Sequence, residues 1–285
     1  MVVGLSPAWQ RTLGFVGFTI SKVNRAKSVA EIASGKAVNV ARVAKQLGAP
    51  VRLLTVAGGG RGELLGRSLK AQGIEAHIVR VKAETRICQT LLADGTATEL
   101  VEEAGALSRR EARAVTEQFA REIRQAAVLV LTGTVPPGCG DDFYRRLIVR
   151  AQAAGVPALV DAQAKQLLNA VKAKPFLVKI NQDEFKAVPA LGRGGVEWFV
   201  ISDGAKSVSV RHGRETLRLQ PPRVKAMNTI GSGDAMLAGI ACGLLRGRPM
   251  MQAVRLGIAC GAANAMTETP GFIRPADVKR LLKQI

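Results

Sequence analysis

The chain has 285 residues, 47% of them hydrophobic, and a formal net charge of +19. That length and apolar share suit one large α/β domain, alone or with a small appendage, and no apolar run approaches the roughly 20 residues that span a bilayer. The four cysteines (Cys88, Cys139, Cys242, Cys260) are scattered without a C-x-x-C pair, which excludes a zinc set or disulfide framework recognisable from spacing, fits a reducing compartment and predicts a cytoplasmic enzyme.

The opening Met1-Val2-Val3-Gly4-Leu5-Ser6-Pro7 lacks a basic segment followed by an apolar block, so no secretory leader is expected. Val2 to Leu5 reads as a first strand, stopped by Pro7. Thr12 to Phe18 alternates loosely, as an exposed strand does, and Ser28 to Ile32 reads as another. After a turn at Ser34-Gly35-Lys36, the pattern predicts a helix from Ala37 to Leu47, ended by Gly48. Val51 to Ala57 reads as a strand, Gly58-Gly59-Gly60 as a flexible loop, Glu63 to Gln72 as a helix and Ile74 to Val81 as a strand. Thr85 to Leu92 and Thr96 to Val101 flank Asp94-Gly95, a strong hairpin signal. Ser108 and Glu111 form a capping box that opens a helix running to about Gln125. Ala127 to Leu131 is a continuous apolar run, as in a strand buried on both faces. Asp142 to Ala154 reads as a helix. Strands are expected at Ala158 to Asp161, Phe176 to Ile180 and Trp198 to Ser202. A hairpin-like pair, Ser207 to Arg211 and Thr216 to Leu219, precedes helices at about 234–245, 249–265 and 275–284.

Strand and helix alternate, and the strands are apolar. The order predicts an α/β fold: a doubly wound, mostly parallel central sheet flanked by helices. Segments 10–34 and 85–103 fit the repeat poorly and are assigned to a small β-sheet lid, with 1–9, 35–84 and 104–285 as the core. Such sheets bind ligands beyond the carboxyl ends of their strands. Polar residues gather at those ends: Thr132 to Gly138, Asp161, Asn181, Glu184, Ser202 to Gly204, and Gly231 to Asp234. A lid over that edge would keep water from a phosphoryl group in transfer.

The stretch with the most chemistry is Asn228-Thr229-Ile230-Gly231-Ser232-Gly233-Asp234, followed by an apolar run of small residues. The glycines permit a tight bend. N–H groups at a helix start lack internal partners and carry the positive end of the macrodipole, so they can hold a phosphate. A carboxylate beside them can accept a proton from an attacking hydroxyl. The same residues also suit an ordinary core-helix start with an acid in its first turn. Residues 1–60 hold eight Lys/Arg against one acid, Glu31. A field of that sign attracts ATP and sugar phosphates, and it attracts nucleic acid. One Tyr and two Trp, with no run of basic residues, make a poor stacking platform for single strands. A plain solvated basic surface accounts for most of these charges equally well.

Six stretches follow one another in a recognisable order: Ser6-Pro7-Ala8-Trp9-Gln10, Ser34-Gly35-Lys36-Ala37-Val38-Asn39-Val40-Ala41-Arg42, Glu84-Thr85-Arg86-Ile87, Thr132 to Gly138, Lys179-Ile180-Asn181-Gln182-Asp183-Glu184, and Asn228 to Asp234. They resemble N-P-A-x-D, G-G-K-G-x-N-V-A-R, T-R-I-N, S-G-S-L-P-P-G, K-P-N-x-x-E and N-T-V-G-A-G-D of the ribokinase-like (phosphofructokinase B) carbohydrate kinases. Within that family the chain is most similar to the branch of 1-phosphofructokinase, tagatose-6-phosphate kinase and the minor 6-phosphofructokinase.

The resemblance implies ATP-dependent phosphoryl transfer to a hydroxyl of a sugar phosphate of the fructose 1-phosphate, fructose 6-phosphate or tagatose 6-phosphate type. Asp234 would be the base, with a low pKa beside the helix start. A loose phosphoryl transition state tolerates that, because it depends more on positioning and charge stabilisation. N–H groups around Gly231, Ser232 and Gly233 would form the anion hole. Asn181, Glu184, Ser202, Gly204, Thr229 and Asn264 would serve the nucleotide, with Glu184 near Mg²⁺, partly through water. Gln10, Ser34, Gly35, Lys36, Asn39, Arg86 and Thr134 would bind the acceptor. Arg86 and Lys36 would hold its phosphate, with Lys22 as a further candidate, and Asn39 would meet its hydroxyls. Relatives often pair through the lid, so Leu13, Phe15, Val16 and Phe18 are candidates for a homodimer contact or, equally, for the lid's inner face.

The departures fall near the acceptor. Gln10 stands where the family has Asp. Ser34 and Ala37 replace glycines, which should narrow the site. The stretch between Glu184 and Trp198 is short, as if a helix were missing, and Ser202 to Ser207 lacks a second glycine. Two alternatives therefore stay open: a kinase for an unphosphorylated sugar, and a catalytically weak or non-catalytic relative that binds an anionic ligand or nucleic acid through its basic surface.

Overall fold

A computed structural model describes residues 1–188, 191 and 195–285. In chain order the strands are β1 (Val2–Val3), β2 (Ala8–Gly14), β3 (Ser28–Ser34), β4 (Arg52–Ala57), β5 (Glu75–Arg80), β6 (Arg86–Ala93), β7 (Thr96–Val101), β8 (Leu129–Thr132), β9 (Ala158–Asp161), β10 (Leu177–Asn181), β11 (Trp198–Asp203), β12 (Ser207–His212) and β13 (Glu215–Leu219). The helices are α1 (Lys36–Gln46), α2 (Gly59–Ala71), α3 (Arg109–Glu122), α4 (Phe143–Ala153), α5 (Ala164–Val171), α6 (Gln182–Ala187), α7 (Ser232–Leu245), α8 (Met250–Ala265) and α9 (Pro275–Leu282).

Nine strands make the central sheet, in the order β13-β12-β11-β10-β9-β8-β1-β4-β5, parallel except where β12 and β13 extend one edge as an antiparallel pair. Side chains alternate across it. Val2, Leu53, Val130, Leu159, Leu177 and Val200 pack in the core shared with α1, α7 and α8. Val3, Leu54, Leu131, Val160, Val178 and Ile201 pack in the core shared with α3 and α4. Both faces are covered, which is why the strands read as unbroken apolar runs. The expected ribokinase-like architecture is present, a doubly wound, mostly parallel sheet with a smaller sheet beside it. That second sheet has the order β3-β2-β6-β7. Its β6–β7 turn places Asp94 and Gly95 at φ of 50° and 72°, as a two-residue hairpin loop requires.

Three readings change. Gly58-Gly59-Gly60 is the start of α2, not a flexible loop. A Cβ on Gly58 would collide with the carbonyls of Val81 and Ala83, and one on Gly59 with the Glu84 carboxylate. Glu84 Oε1 accepts the Arg61 N–H at 2.8 Å, an acid on a helix N-terminus. The glycines therefore admit segment 81–84. The loosely alternating strand begins earlier, at Ala8, so Gln10 lies inside β2. Helices α5 and α6 were not foreseen. The expected shortfall between Glu184 and Trp198 falls partly on 189–190 and 192–194, which lie outside the described residues; α6 occupies 182–187.

Helix α7 is held by close packing on α8. A Cβ on Gly239 would sit 2.7 Å from Gly257 Cα, and one on Gly257 would sit 2.6 Å from the Met236 carbonyl. Gly257→Ala should therefore force the helices apart and cost roughly 1–3 kcal/mol, read as a lower urea midpoint; an unchanged midpoint would show that α7 is not fixed by this contact.

Candidate active site

The parallel strands end together at Thr132, Asp161 and Asn181, and a cavity of about 410 Å³ opens there between the start of α7 and the second sheet. A second cavity of about 470 Å³ lies at the opposite edge, near Arg52 and Glu122. Its Arg52 is already paired with Glu75 at 2.7 Å and Glu122 at 3.7 Å. Most of the predicted acceptor and catalytic residues line the first.

Gly231 caps α7 with φ of 81°, a left-handed conformation that favours glycine. A Cβ there would also lie 2.7 Å from the Gly271 nitrogen. The loop before it is braced from within. Asn228 Oδ1 accepts the Ile230 N–H at 3.0 Å. Asn264, wholly buried, donates to the Ile230 carbonyl and Ser232 Oγ and accepts the Gly271 N–H. The Ser232 N–H is bonded to the Thr229 carbonyl at 3.2 Å and the Ala235 N–H to that of Gly231 at 2.9 Å. Among the described residues the N–H groups of Gly233 and Asp234 have no protein partner. With Ser232 taken, these two are open donors in the first turn of the helix, and the Gly231 N–H at the cap also has no partner among the described residues.

Beside them lies a charge triad, Asp161 and Lys179 buried and Lys36 half-buried. Asp161 Oδ1 meets Lys36 Nζ at 2.7 Å, and its Oδ2 meets Lys179 Nζ at 2.8 Å. The three come from different elements facing α7: Asp161 closes β9, Lys179 lies one strand over within β10, and Lys36 opens α1. Burial pushes the Asp161 carboxyl up, but Lys179 and Lys36 more than offset it and hold the group well below the ordinary range. Burial pulls the Lys36 ammonium down, but Asp161 and Asp234 hold it well above its ordinary value. A Cβ on Gly233 would lie 2.5 Å from Lys179 Nζ, so only glycine lets that ammonium reach the helix start. Cations at the positive end of a helix are unfavourable alone. Together with open N–H groups they make a site for a strongly anionic ligand.

Asp234, only 6% exposed, takes part differently. It is not within ion-pair distance of either lysine, and Asn39 Nδ2 donates to its Oδ2 at 2.9 Å. Burial pushes its pKa up to about 6, Asp161 adds to that, and Lys36, the Asn39 bond and Lys179 act against it. This corrects the low pKa expected from the helix start. The macrodipole is worth at most about 2 kcal/mol, and desolvation of a buried carboxylate outweighs it.

The other predicted residues sort clearly. Gln10, Ser34, Gly35, Lys36, Asn39, Arg86, Thr134, Gly231, Gly233 and Asp234 all line the cavity. Gln10 is buried and its Nε2 donates to Thr90 Oγ1 at 2.8 Å, which leaves Oε1 for a ligand. Ser34 does not narrow the site by pointing into it, because its hydroxyl donates to Asn39 Oδ1 at 3.0 Å. Ala37 does not line the cavity; it packs in the core against Gly4. Arg86 donates to the carbonyls of Glu102 (2.8 Å) and Ser6 (3.0 Å), while its Nε is buried without a partner. Asn181 and Glu184 form the capping box of α6, each accepting the other's N–H. Ser202 lies beside Asn181 in the sheet, and Gly204 turns just beyond it with φ of 51°. Thr229 is exposed. Asn264 reaches no ligand space and braces the loop instead. Lys22 is exposed between β2 and β3 and does not line the cavity.

Sequence reasoning missed Lys179, Asp161, Arg42, Glu99 and Glu103 as site residues. Lys179 and Asp161 carried a signal: Asp161 is an acid closing an apolar strand, and Lys179 a lone charge inside one. Glu99 and Glu103 face the cavity from the second sheet and carried none, because exposed glutamates on an edge strand are ordinary.

The model of the pfkB family of carbohydrate kinases matches residues 8–276. The structure of phosphofructokinase-2 from Escherichia coli in complex with substrates and products is similar at a TM-score of 0.91 and 26% identity, over 99% of this chain and 98% of that one. The same enzyme in complex with fructose-6-phosphate gives 0.89 and 25%, over 99% and 97%. A possible 1-phosphofructokinase from Thermotoga maritima shares the fold at a TM-score of 0.89 and 19% identity, over 99% and 96%.

The raised pKa of Asp234 makes its ionised form a burden on stability. The folded group binds its proton more tightly than the unfolded one, whose ordinary value is 3.8, so stability is lost as pH rises from about 3.8 to about 6. Asp234→Asn should therefore gain roughly 2–3 kcal/mol at pH 8 and nothing near pH 3.5. Denaturant titrations at both pH values check this; an equal effect at both would exclude a buried charge as the cause.

Proposed function

The chain belongs to the pfkB family of carbohydrate kinases, and we propose that it transfers the γ-phosphoryl group of ATP to a hydroxyl of a sugar, with Asp234 as the base. The observation that carries this is the junction at α7: a buried carboxylate with a raised pKa adjoins two open N–H groups and a lysine pair. The acceptor hydroxyl would give its proton to Asp234 as its oxygen bonds to phosphorus, and ADP would leave. The N–H groups of Gly233 and Asp234, with Lys36 and Lys179, would hold the charge on the transferring group.

Asn181, Glu184, Ser202, Gly204 and Thr229, at the ends of β10 and β11 and in the loop before α7, would take the nucleotide. Among the described residues no three His, Cys, Asp or Glu side chains form a metal cluster. Glu184 Oε2 accepts the Asn181 N–H, and among the described residues Oε1 has no partner. That suits Mg²⁺ carried mainly by phosphates and water, with Glu184 as one oxygen ligand. When bound, Mg²⁺ would neutralise phosphate charge.

The acceptor we propose is a phosphorylated ketohexose, as the motifs and the likeness to the enzyme seen with fructose-6-phosphate suggest. Arg86 and Lys36 would hold its phosphate; the buried, unpartnered Arg86 Nε and Ser6 Oγ are polar atoms such a ligand would satisfy. A second reading, an unphosphorylated sugar, is favoured by Glu99 and Glu103. Lys36, Lys179 and Arg86 face four carboxylates once Asp161 and Asp234 are included, so the cavity of this basic protein is not itself cationic. Val16, Phe18, Ile20 and Val23 are exposed beside the second sheet and support pairing of two copies there. No described helix is long and apolar enough to cross a membrane, and a cytoplasmic location belongs to the same proposal.

A coupled ADP-release assay over paired sugars and sugar phosphates tests this. Asp234→Asn should lose at least about 10²-fold in kcat. No turnover on any acceptor would favour the non-catalytic alternative. Arg86→Ala should raise KM far more for a sugar phosphate than for its free sugar; equal effects would support the second reading.

A further inference from the structure

Arg42, in the middle of α1, is a buried cation without a carboxylate partner among the described residues. It is 3% exposed among Val38, Val40, Ala41 and Val43. Its guanidinium donates to the Ala33 carbonyl, the Pro270 carbonyl (2.9 Å), Gln72 Oε1 (2.6 Å) and Asn39 Oδ1 (3.2 Å). Every acceptor is a neutral oxygen. Burial pulls its pKa down to about 10, which leaves it charged at neutral pH. Burying a cation against neutral partners is costly, so the use made of it at this position is informative.

That use is visible at Asn39. Its Oδ1 receives two donors, Arg42 Nη1 and Ser34 Oγ. The amide can then turn only its NH₂ toward Asp234, and it does so at 2.9 Å. The turn at 270–271 closes over the same side chain: a Cβ on Gly271 would sit 2.6 Å from Asn39 Cβ, and the Pro270 carbonyl beside it is held by Arg42. We infer that Arg42 is a positioning residue for phosphoryl transfer: it locks the Asn39 amide in the one orientation that donates to Asp234, and so aims and charges the base. The inference rests on the reading of Asp234 as the base. A charged donor at one end of a hydrogen-bonded chain strengthens the bond at the other. Arg42 reaches Asp234 only through Asn39. The other groups facing Asp234 are Lys36 from α1, Asp161 from β9 and Lys179 from β10, with Arg86 and Glu99 across the cavity.

The test is the pH dependence of kcat and KM in the wild type, Arg42→Lys, Asn39→Ala and the double variant. Arg42→Lys keeps the charge and loses the fork. It should lower kcat about tenfold through misalignment, with KM for ATP unchanged, and move the acid limb upward by about one pH unit as the carboxylate loses donation. In the Asn39→Ala background the same change should do nothing further. An unmoved limb in Arg42→Lys, or an equal effect without Asn39, overturns the inference. Should Arg42→Lys fail to fold, Ser34→Ala must move the limb upward by a smaller amount, and an unmoved limb there overturns it. Asp234→Asn separates the premises. Wild-type turnover in that variant sinks the base itself, whereas its inactivity together with an unmoved limb in Arg42→Lys sinks only the role of Arg42.

Discussion

The site depends on one carboxylate shared by two ammonium groups. Lys36 and Lys179 lie close to the positive end of α7, where each would repel the other and the helix. Asp161, buried between them at 2.7 and 2.8 Å, makes that arrangement tenable. The bridge also ties together three elements that reach the site from different parts of the chain, α1, β9 and β10. Losing Asp161 would leave the buried Lys179 uncompensated and the half-buried Lys36 unpaired, which is strongly destabilising for the first. The triad therefore serves stability and, on the proposed reading, would also supply positive charge to an anion at the α7 start.

Two buried carboxylates a short distance apart meet opposite fates. Asp161 touches two lysines and is held ionised. Asp234 touches none, receives one amide N–H, and is pushed up to about 6. Neighbouring acids driven apart in this way can hold different roles, one as fixed charge and one as proton acceptor. The separation is produced by which side chains the fold places against each, and nothing in the two short motifs distinguishes them.

That contrast marks how far the sequence could be read. The fold was legible because unbroken apolar runs in strands covered on both faces, the Ser108 capping box and the Asp94-Gly95 turn are local properties. Many of the motif residues, Lys36, Gly231, Gly233 and Asp234 among them, line one cavity because they sit at helix starts beyond the strand ends, which spacing reveals. What stayed hidden needed a partner distant in sequence. Gly58 and Gly59 read as a loop because the segment that crowds them lies at 81–84. Ala37 looked like a site residue by position, but the helix turns its methyl into the core against Gly4. Asn264 looked like a nucleotide contact, yet its place in α8 sets it beneath the Gly231 loop. Asn39 looked free to meet a hydroxyl, and its amide is held between Arg42, Ser34 and Asp234.

The charge of the whole molecule and that of its cavity belong to different steps of recognition. A net charge of +19 acts over roughly a Debye length, about 8–10 Å. At that range it raises the encounter rate of anionic ligands without choosing among them. Choice is made at contact, where Gln10, Glu99 and Glu103 face Lys36 and Arg86. Gln10 has one amide nitrogen committed to Thr90 and offers a neutral oxygen. Glu99 and Glu103 offer charged ones, stronger acceptors for a sugar hydroxyl and repulsive toward a phosphate. On the proposed reading, acceptor preference would lie in the balance between the Arg86 fork and two glutamates on β7 and just beyond it, with little part left to the basic surface outside.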